Sequence, residues 1–360
     1  MKLKIYKIYI LKSYLYYFLI VSLIFTLLSF FLNILEEITF FEKYNVSVYY
    51  PIFLTLLNTP SILFEIFPFI FLIASQLFFI RFKENEELNL LKITGIDNFS
   101  LIRLLIYLSL VMGLIITVLF YTFSANLKHN YLIIKNKFTD DNKYLAAIND
   151  NGLWIKDEYE DGVYIINADE FEKNKLKNVT INQLDNKFNL KSIIISQQAD
   201  IEDDEWKLEK VRIFFVNGKK EMLENLKINT NFNREKLNSI FSNLTSLNLL
   251  QLVNLSEDYK KLGFSNTEIK SHIYKLYSFP ILISIMTVIG SILVLSFSYK
   301  RSKFFNLSLG VMSSVVIYYI NYLFNLLGIT EKTSIILAVC SPLIILVLFS
   351  FILLVRINEK

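Results

Sequence analysis

Two clusters of acidic residues are the first candidates for chemistry in this chain of 360 residues. One cluster contains Asp157, Glu158, Glu160 and Asp161, and the other contains Glu202, Asp203, Asp204 and Glu205. Carboxylates are ligands that Ca²⁺ and Mg²⁺ prefer, but nothing in the sequence makes either set of side chains converge. We therefore interpret both clusters as polar turns between strands and predict no metal site.

Sequence patterns of common catalytic and cofactor sites are absent from the chain. It has no Walker-type phosphate loop, no dinucleotide fingerprint, no H-E-x-x-H and no G-x-S-x-G. The single cysteine, Cys340, excludes an intrachain disulfide and a multi-cysteine metal site. His129 and His272 are far apart, and each lies beside lysine-containing sequence at a predicted membrane edge. We predict a protein with no catalytic residues, metal or cofactor of its own.

Small and polar residues recur on one face of two apolar segments. The first set is Ser22, Thr26, Ser29 and Asn33. The second set is Asn306, Gly310, Ser314, Asn321 and Asn325. Such stripes usually mediate packing between membrane helices. A second interpretation is a surface that separates to admit a substrate, and the two interpretations are compatible.

A short charged segment, Lys83–Gly95 (KENEELNLLKITG), lies between two long apolar runs. Its apolar and charged residues have helical spacing. Gly95 favours the end of a helix at that point, and Asp97 or Asn98 can cap the helix that follows. The segment is either an amphipathic helix held on one side of a membrane or a solvated hairpin turn. The residues that define it are Glu84, Glu87, Leu88, Leu91, Lys92 and Gly95.

Six apolar runs determine where these features lie. A mean hydropathy of +0.44 and a hydrophobic fraction of 54% indicate a membrane protein. Each run approaches or exceeds the roughly 20 residues that cross a bilayer. The first is longer than the roughly 7–15 apolar residues of a signal peptide, so we predict that it is retained. The runs are approximately 13–35, 60–80, 104–125, 275–298, 304–327 and 334–355.

Basic residues in the short connections predict the orientation of these runs. Thirteen Lys and Arg residues lie on one side and two, Lys43 and Lys332, lie on the other. Because positive charge is enriched on the cytoplasmic side, we predict that both termini and Lys83–Gly95 are cytoplasmic. The segment 126–274 is then outside the cytoplasm.

The segment 126–274 has the composition of a separate domain. Between Gly152 and Asn231 it contains successive strand-like stretches joined by polar turns, which favours an antiparallel sandwich or jelly roll. From about Asn248 the pattern becomes helical. The predicted fold is an α-helical membrane protein with six transmembrane helices and an all-β, jelly-roll-like domain inserted between helices 3 and 4. The predicted domains are 1–125, 126–274 and 275–360.

Three local motifs, in order along the chain, resemble those of a known family. The second apolar run has paired prolines, Pro60 and Pro68, and Glu87–Gly95 is similar to the pattern E-L-x-x-L-[RK]-x-x-G. The stretch Gly152–Asp157, GLWIKD, is similar to G-L-W-x-K-D. The chain thus resembles the permease subunits, LptF and LptG, of the lipopolysaccharide-exporting ABC transporter along essentially its whole length. GLWIKD favours the LptG branch, and LptF shares the architecture.

The resemblance implies a mechanism and a set of partners. The chain would pair with an LptF-like permease, an LptB-like ATPase dimer and an LptC-like membrane-anchored periplasmic protein, and would move lipopolysaccharide out of the inner membrane. Lys83–Gly95 would be the coupling helix in a groove of the ATPase, with Glu87 as its acidic contact. The first span of one permease and the fifth of the other would form lateral gates, where the two polar stripes lie. Nucleic acid is not an expected partner, because the basic residues are spread over membrane edges.

One region departs from the family pattern. Family lysines near the outer end of the first span contact lipid phosphates, whereas here that region carries Glu36, Glu37 and Glu42. Lys43 is its only basic residue. A lipid with fewer phosphates is one explanation, and a set of lysines after the third run is another. The candidate phosphate contacts are Lys43, Lys128, Lys135 and Lys137.

Two further interpretations are open, the first also a transporter and the second from another class of protein. One is a different ABC permease with an external domain. The other is a membrane-anchored sensor or scaffold whose external domain binds a ligand. A sensor would need an output domain in the cytoplasm, but the predicted cytoplasmic segments are all short.

Overall fold

The fold is described from a computed structural model of the chain. It describes residues 5–44, 46–138, 153–159, 162–172, 175–185, 188–201, 205–216, 218–230, 243–261, 266–296 and 302–358.

Within the described residues, six helices are long and apolar enough to cross a membrane, which confirms the predicted number of spans. We call them the first to sixth spans. The first three extend beyond the apolar runs at both ends, and the fourth extends beyond its run at the start, because polar and charged residues continue these helices. The spans are Ile5–Phe41, Tyr49–Glu84, Asn98–Lys135, Thr267–Leu295, Lys303–Ile329 and Ile335–Arg356.

The helical elements outside this simple pattern are short. A helix over Glu87–Ile93, here called the linker helix, joins the second and third spans. The third span contains a π-helical turn, Ile116–Phe120, between α-helices Asn98–Ile115 and Tyr121–Asn136. A further helix covers Leu249–Lys261.

Side-chain contacts identify which ends of the spans lie together. Tyr9 of the first span contacts Glu87 of the linker helix, and Lys303 of the fifth span contacts Glu84 of the second. Thr267, at the start of the fourth span, donates to Glu331 after the fifth at 2.9 Å. We call the end of the spans near the linker helix the linker end.

The second and fourth spans form the centre of the bundle of six spans. A buried apolar cluster joins them to the fifth and sixth spans, and its members are Leu72, Ile285, Met286, Ile289, Ile317, Leu343 and Leu346. The third span packs closely on the fourth, since a Cβ on Gly113 would lie 2.8 Å from the Cα of Pro280. The first and fifth spans are peripheral and leave long apolar faces exposed.

The chain divides into two compact units. The first, which we call the membrane unit, is Met1–Tyr131 with Thr267–Lys360. The second, which we call the β unit, is Leu132–Asn266. The boundaries between the two units lie in or beside helices and not at the ends of the apolar runs. The helix of the third span continues past Tyr131 to Asn136, and the fourth span begins at Thr267.

The second unit contains an antiparallel sheet, which confirms the predicted all-β insertion between the third and fourth spans. Its strands pair in the order β1-β2-β4-β5-β6-β7, and β3 pairs with β4 beyond the end of β2. The strands are β1 (Leu153–Tyr159), β2 (Gly162–Ala168), β3 (Glu170–Glu172), β4 (Lys175–Leu184), β5 (Leu190–Asp200), β6 (Glu205–Phe215) and β7 (Lys220–Asn229).

A row of irregular residues crosses the middle of this sheet. Asn178 in β4 and Lys210 in β6 have positive φ values of 50° and 52°. The register of β5 with both strands places these two residues in the same row, on either side of Gln197. At each of them the alternation of buried and exposed residues shifts by one position. The two halves of these strands therefore contribute side chains to one core, whose largest member is Trp206.

Candidate functional site

The linker helix ends in a Schellman motif, as Gly95 predicted. The Gly95 N–H donates to the carbonyl of Lys92, and the Ile96 N–H donates to that of Leu91, both at 3.0 Å. Gly95 has a φ of +82°, which L side chains rarely adopt. The helix is shorter than the predicted segment because Lys83 and Glu84 continue the second span.

Asp97 caps the third span, which settles the predicted choice between Asp97 and Asn98. Its Oδ1 accepts a hydrogen bond from the Ser100 N–H at 3.1 Å. This hydrogen bond lowers the pKa of the Asp97 carboxyl below its usual value, so the cap is charged at neutral pH. The linker helix is thus held between two ordered ends.

The linker helix exposes apolar residues that the sequence analysis did not select. Leu88 is only 4% exposed and packs inward, whereas Leu90 is 61% and Ile93 is 83% exposed. Leu91 is half-buried and Lys92 is exposed. The i, i+3 spacing of Leu90 and Ile93 could have indicated this face, but the sequence alone did not show which face packs on the spans.

Glu84 and Glu87, the two acidic residues among those that define the predicted coupling helix, have partners within the chain. Glu84 forms an ion pair with Lys303, with 3.0 Å between Nζ and Oε1. The Tyr9 hydroxyl donates to Glu87 Oε2 at 2.9 Å, and Asn85 Nδ2 donates to Glu87 Oε1 at 3.0 Å. Each carboxylate oxygen can accept a second hydrogen bond. Glu87 therefore retains acceptor capacity for a partner.

The polar stripe of the first span faces into the chain. Ser22 and Thr26 are half-buried, and Ser29 and Asn33 are buried. Asn58 of the second span donates to Asn33 Oδ1 at 3.0 Å. The stripe thus packs against the second span, and its role in a lateral gate stays a prediction.

The polar stripe of the fifth span also faces into the chain. Asn306, Gly310, Ser314 and Asn325 are buried, and Asn321 is half-buried. Gln76 Nε2 donates to the main-chain oxygen of Asn306 at 2.9 Å. Ser271 of the fourth span donates to Asn325 Oδ1 at 2.6 Å. These contacts are within one subunit, and the predicted gate role is likewise untested.

The faces that these two spans expose are apolar. In the first span the exposed residues include Leu23, Leu27, Phe31, Leu32 and Leu35. In the fifth they include Val311, Val315, Tyr318, Tyr319 and Tyr322. Exposed apolar surface on a membrane helix can contact lipid or another helix without leaving a polar group unsatisfied.

The candidate phosphate contacts differ in their surroundings. Lys43 and Lys137 are exposed, whereas Lys135 is buried. Lys128 is half-buried; its Nζ donates to Asn58 Oδ1 and lies 4.7 Å from the centre of the Tyr131 ring.

The acidic residues after the first span also differ from one another. Glu36 and Glu42 are exposed. Glu37 is fully buried, and its Oε1 accepts a hydrogen bond from the Tyr131 hydroxyl at 2.7 Å. Glu37 therefore links the first span to the third, and it is not displayed on the surface.

The β unit contains a cavity of about 390 Å³. One of its polar residues, Lys227, pairs with Glu205 at 2.9 Å. The lining is mixed, with polar groups of Gln183, Lys227 and Asn229 beside apolar side chains that belong to the core of the sheet. The residues around the cavity are Tyr164, Gln183, Ile194, Ile213, Phe215, Leu226, Lys227, Ile228 and Asn229.

The GLWIKD motif lies at the start of the β unit. Trp154 is half-exposed on β1, and Asp157 is buried. Gly152 lies outside the described residues.

No three His, Cys, Asp or Glu side chains come together as a metal site in the part of the chain that the structure describes. His272 instead pairs with the Tyr121 hydroxyl at 3.0 Å. In the acidic clusters, the side chains of Asp157 and Glu205 are described. Those of Glu158, Glu160, Asp161, Glu202, Asp203 and Asp204 lie outside the described residues.

Comparison with known protein families gives a match over nearly the whole chain. A family model described as lipopolysaccharide export system permease LptF/LptG matches residues 8–356. A comparison with curated proteins found no match.

Proposed function

The chain belongs to the LptF/LptG family of lipopolysaccharide export permeases, and we propose that it is the LptG-type subunit of an inner-membrane ABC transporter. In this proposal it extracts lipopolysaccharide from the membrane and passes it to a periplasmic bridge toward the outer membrane. The observation that carries the proposal is the family match over residues 8–356, which includes the six spans and the inserted sheet. GLWIKD favours LptG over LptF.

We propose that the linker end of the spans is cytoplasmic. The charge bias of thirteen basic residues against two supports this orientation. The contacts of Tyr9 with Glu87 and of Lys303 with Glu84 group the basic starts of the first and fifth spans with the linker helix. In this orientation the β unit is periplasmic.

The linker helix is the proposed docking element for an LptB-like ATPase. Family membership implies that ATP is hydrolysed by a separate subunit. Leu90 and Ile93 supply an exposed apolar surface, and Lys92 is an exposed charge to one side of it. Burying one such side chain is worth roughly 1.5–3 kcal/mol. Glu87 adds acceptor capacity for a basic residue of the ATPase.

The exposed apolar faces of the first and fifth spans are the proposed contact surfaces for the LptF-like permease. A gate must separate repeatedly in a lipid environment, where an unsatisfied polar group costs several kcal/mol. The polar stripe residues Asn33 and Asn306 have contacts with the second span. Apolar faces can therefore part while the polar contacts inside the subunit stay formed.

The lipid path beyond the gate is proposed from charge and from the β unit. Lys43 and Lys137 are exposed and can contact phosphates, whereas Lys128 already donates to Asn58. The cavity of the β unit combines apolar side chains with a few polar ones, which suits part of an amphipathic lipid. An LptC-like protein would receive the lipid from this unit.

The experiment that tests this function is purification of the tagged chain from its native membrane in mild detergent. We expect a nucleotide-binding ATPase and a second six-span permease to co-purify. A tagged unrelated six-span protein from the same membrane controls for nonspecific capture. Recovery of the chain alone, or with a signalling protein, would overturn the transporter proposal and favour a sensor.

A further inference from the structure

We infer that the linker segment, residues Lys83–Gly95, clamps both gate spans at the linker end, the first through Tyr9–Glu87 and the fifth through Glu84–Lys303. A displacement of this segment, which includes the end of the second span and the linker helix, is then transmitted to both spans of this subunit. The inference rests on the proposed function, in which these spans form gates and the linker helix contacts an ATPase.

The clamp on the first span is a hydrogen bond to an oriented carboxylate. The Tyr9 hydroxyl donates to Glu87 Oε2 at 2.9 Å, and Asn85 Nδ2 holds Oε1 at 3.0 Å. The Tyr9 ring also lies 6.0 Å from the ring of Phe82 at the end of the second span. Because Glu87 belongs to the linker helix, this contact joins the first span directly to the docking element.

The clamp on the fifth span is an ion pair at its first residue. Lys303 Nζ lies 3.0 Å from Glu84 Oε1, at the last residue of the second span. One turn further along, Gln76 Nε2 donates to the main-chain oxygen of Asn306 at 2.9 Å. Gly310 then allows the fifth span to approach the Gln76 side chain. The fifth span thus contacts the second at three positions along its length, Lys303, Asn306 and Gly310, and the first of these is beside the linker helix.

The two clamps differ in their chemistry. Tyr9 is neutral, so its hydrogen bond to Glu87 responds weakly to ionic strength. Lys303 and Glu84 carry opposite charges and are partly exposed, so salt screens their attraction. Exposed pairs of this kind shift an equilibrium by up to about five-fold. The coupling of the fifth span is therefore salt-dependent, and that of the first span is not.

The test uses the full complex, purified with its partner permease and ATPase and reconstituted into lipid vesicles. Cys340 is exposed and is first replaced by serine. Spin labels at Leu19 and Met312, which are exposed on the first and fifth spans, report the distance between those spans with and without a non-hydrolysed ATP analogue. Because both positions lie on the proposed contact faces, the labelled chain is first shown to bind the partner permease and the ATPase as the unlabelled chain does. Tyr9→Phe removes one clamp and Lys303→Gln removes the other, and neither residue is on the linker helix.

We expect each variant to retain the ATPase while reducing the nucleotide-driven change in the distance distribution by about two- to five-fold. The charge swap Glu84→Lys with Lys303→Glu should restore the response, and added salt should reduce the response of wild type but not of Lys303→Gln. Tyr16→Phe, at an exposed tyrosine on the first span, is the matched control for Tyr9→Phe.

The outcomes separate the clamp from the proposed function. An unchanged response in Tyr9→Phe and in Lys303→Gln, with the ATPase bound, would overturn the clamp and leave the transporter intact. Failure of the wild-type chain to bind an ATPase would overturn the proposed function, and the clamp with it.

Discussion

Gln76 in the second span lies directly against Gly310 in the fifth, with no room for a side chain between them. A Cβ on Gly310 would collide with the Gln76 amide, whose Nε2 donates to the main-chain oxygen of Asn306. A second glycine, Gly290, makes an equivalent approach to the main chain of Leu72. The packing of the membrane unit thus depends on small residues where helices cross.

Gly310→Ala should destabilise the membrane unit by about 1–3 kcal/mol, because the added methyl forces Gln76 to move. Gln76→Ala in the same chain should remove most of that cost, since the neighbour is a side chain. Gly290→Ala is the matched control, because its methyl would meet the carbonyl of Leu72, which cannot be truncated. Thermal unfolding in detergent measures the three single variants, Gly310→Ala, Gly290→Ala and Gln76→Ala, and the two double variants that combine Gln76→Ala with each glycine substitution. Equal rescue of both alanine variants by Gln76→Ala would contradict this account.

Tyr131→Phe should lower the stability of the membrane unit by about 1–2 kcal/mol, because a hydrogen bond to the buried Glu37 carboxylate is lost. Tyr107→Phe removes the same hydroxyl from an exposed position on the same span and should have little effect. The midpoint of thermal unfolding in detergent is the measurement. Similar midpoints for the two variants would show that the Tyr131 hydroxyl does not stabilise the fold.

Ile93→Ser should reduce recovery of the ATPase in a pull-down by roughly ten-fold or more, because an apolar side chain that is proposed to be buried on docking is lost. The chain should still insert and fold, since Ile93 is 83% exposed. Met222→Ser, at an 80% exposed position of β7, is the control. If Ile93→Ser recovered as much ATPase as the wild-type chain, Ile93 would not be part of the docking surface.

Asp97→Ala should weaken the start of the third span by about 1 kcal/mol, the usual value of an N-cap. The hydrogen bond from Ser100 lowers the pKa of Asp97 in the folded chain. Stabilisation by the cap is therefore complete above the unfolded-state pKa and is lost as the pH falls through the folded-state value. The protection of the Ser100 amide from hydrogen exchange, which is the intrinsic exchange rate divided by the observed rate, should therefore decrease as the pH falls across that acidic range.

Asp97→Asn is the control for this pH effect, because asparagine also caps a helix but does not titrate. Ser100 in that variant should remain protected without the additional acid-dependent loss. The same acid dependence in both proteins would assign the effect to another group.

Much of the fold could be predicted from the sequence because its signals are local. The length of each apolar run determined that a helix crosses the membrane there, since no other structure satisfies the backbone of a single segment in lipid. Period-two alternation between polar turns determined the antiparallel strands. Gly95 predicted the end of the linker helix because the φ of +82° at that position favours glycine.

Only the tertiary structure decided how each element is rotated and what it contacts. The sequence placed Leu88 and Leu91 on one face of the linker helix, but packing on the spans buried Leu88 and exposed Leu90 and Ile93. Packing between the spans likewise turned the stripe of the first span toward the second span, and that of the fifth toward the second and fourth. The rotation of a helix about its axis depends on contacts between residues distant in sequence, such as Tyr9 and Glu87. Local hydropathy and propensity carry no information about such contacts, so the sequence determined the elements and their order, and the folded chain determined their surfaces.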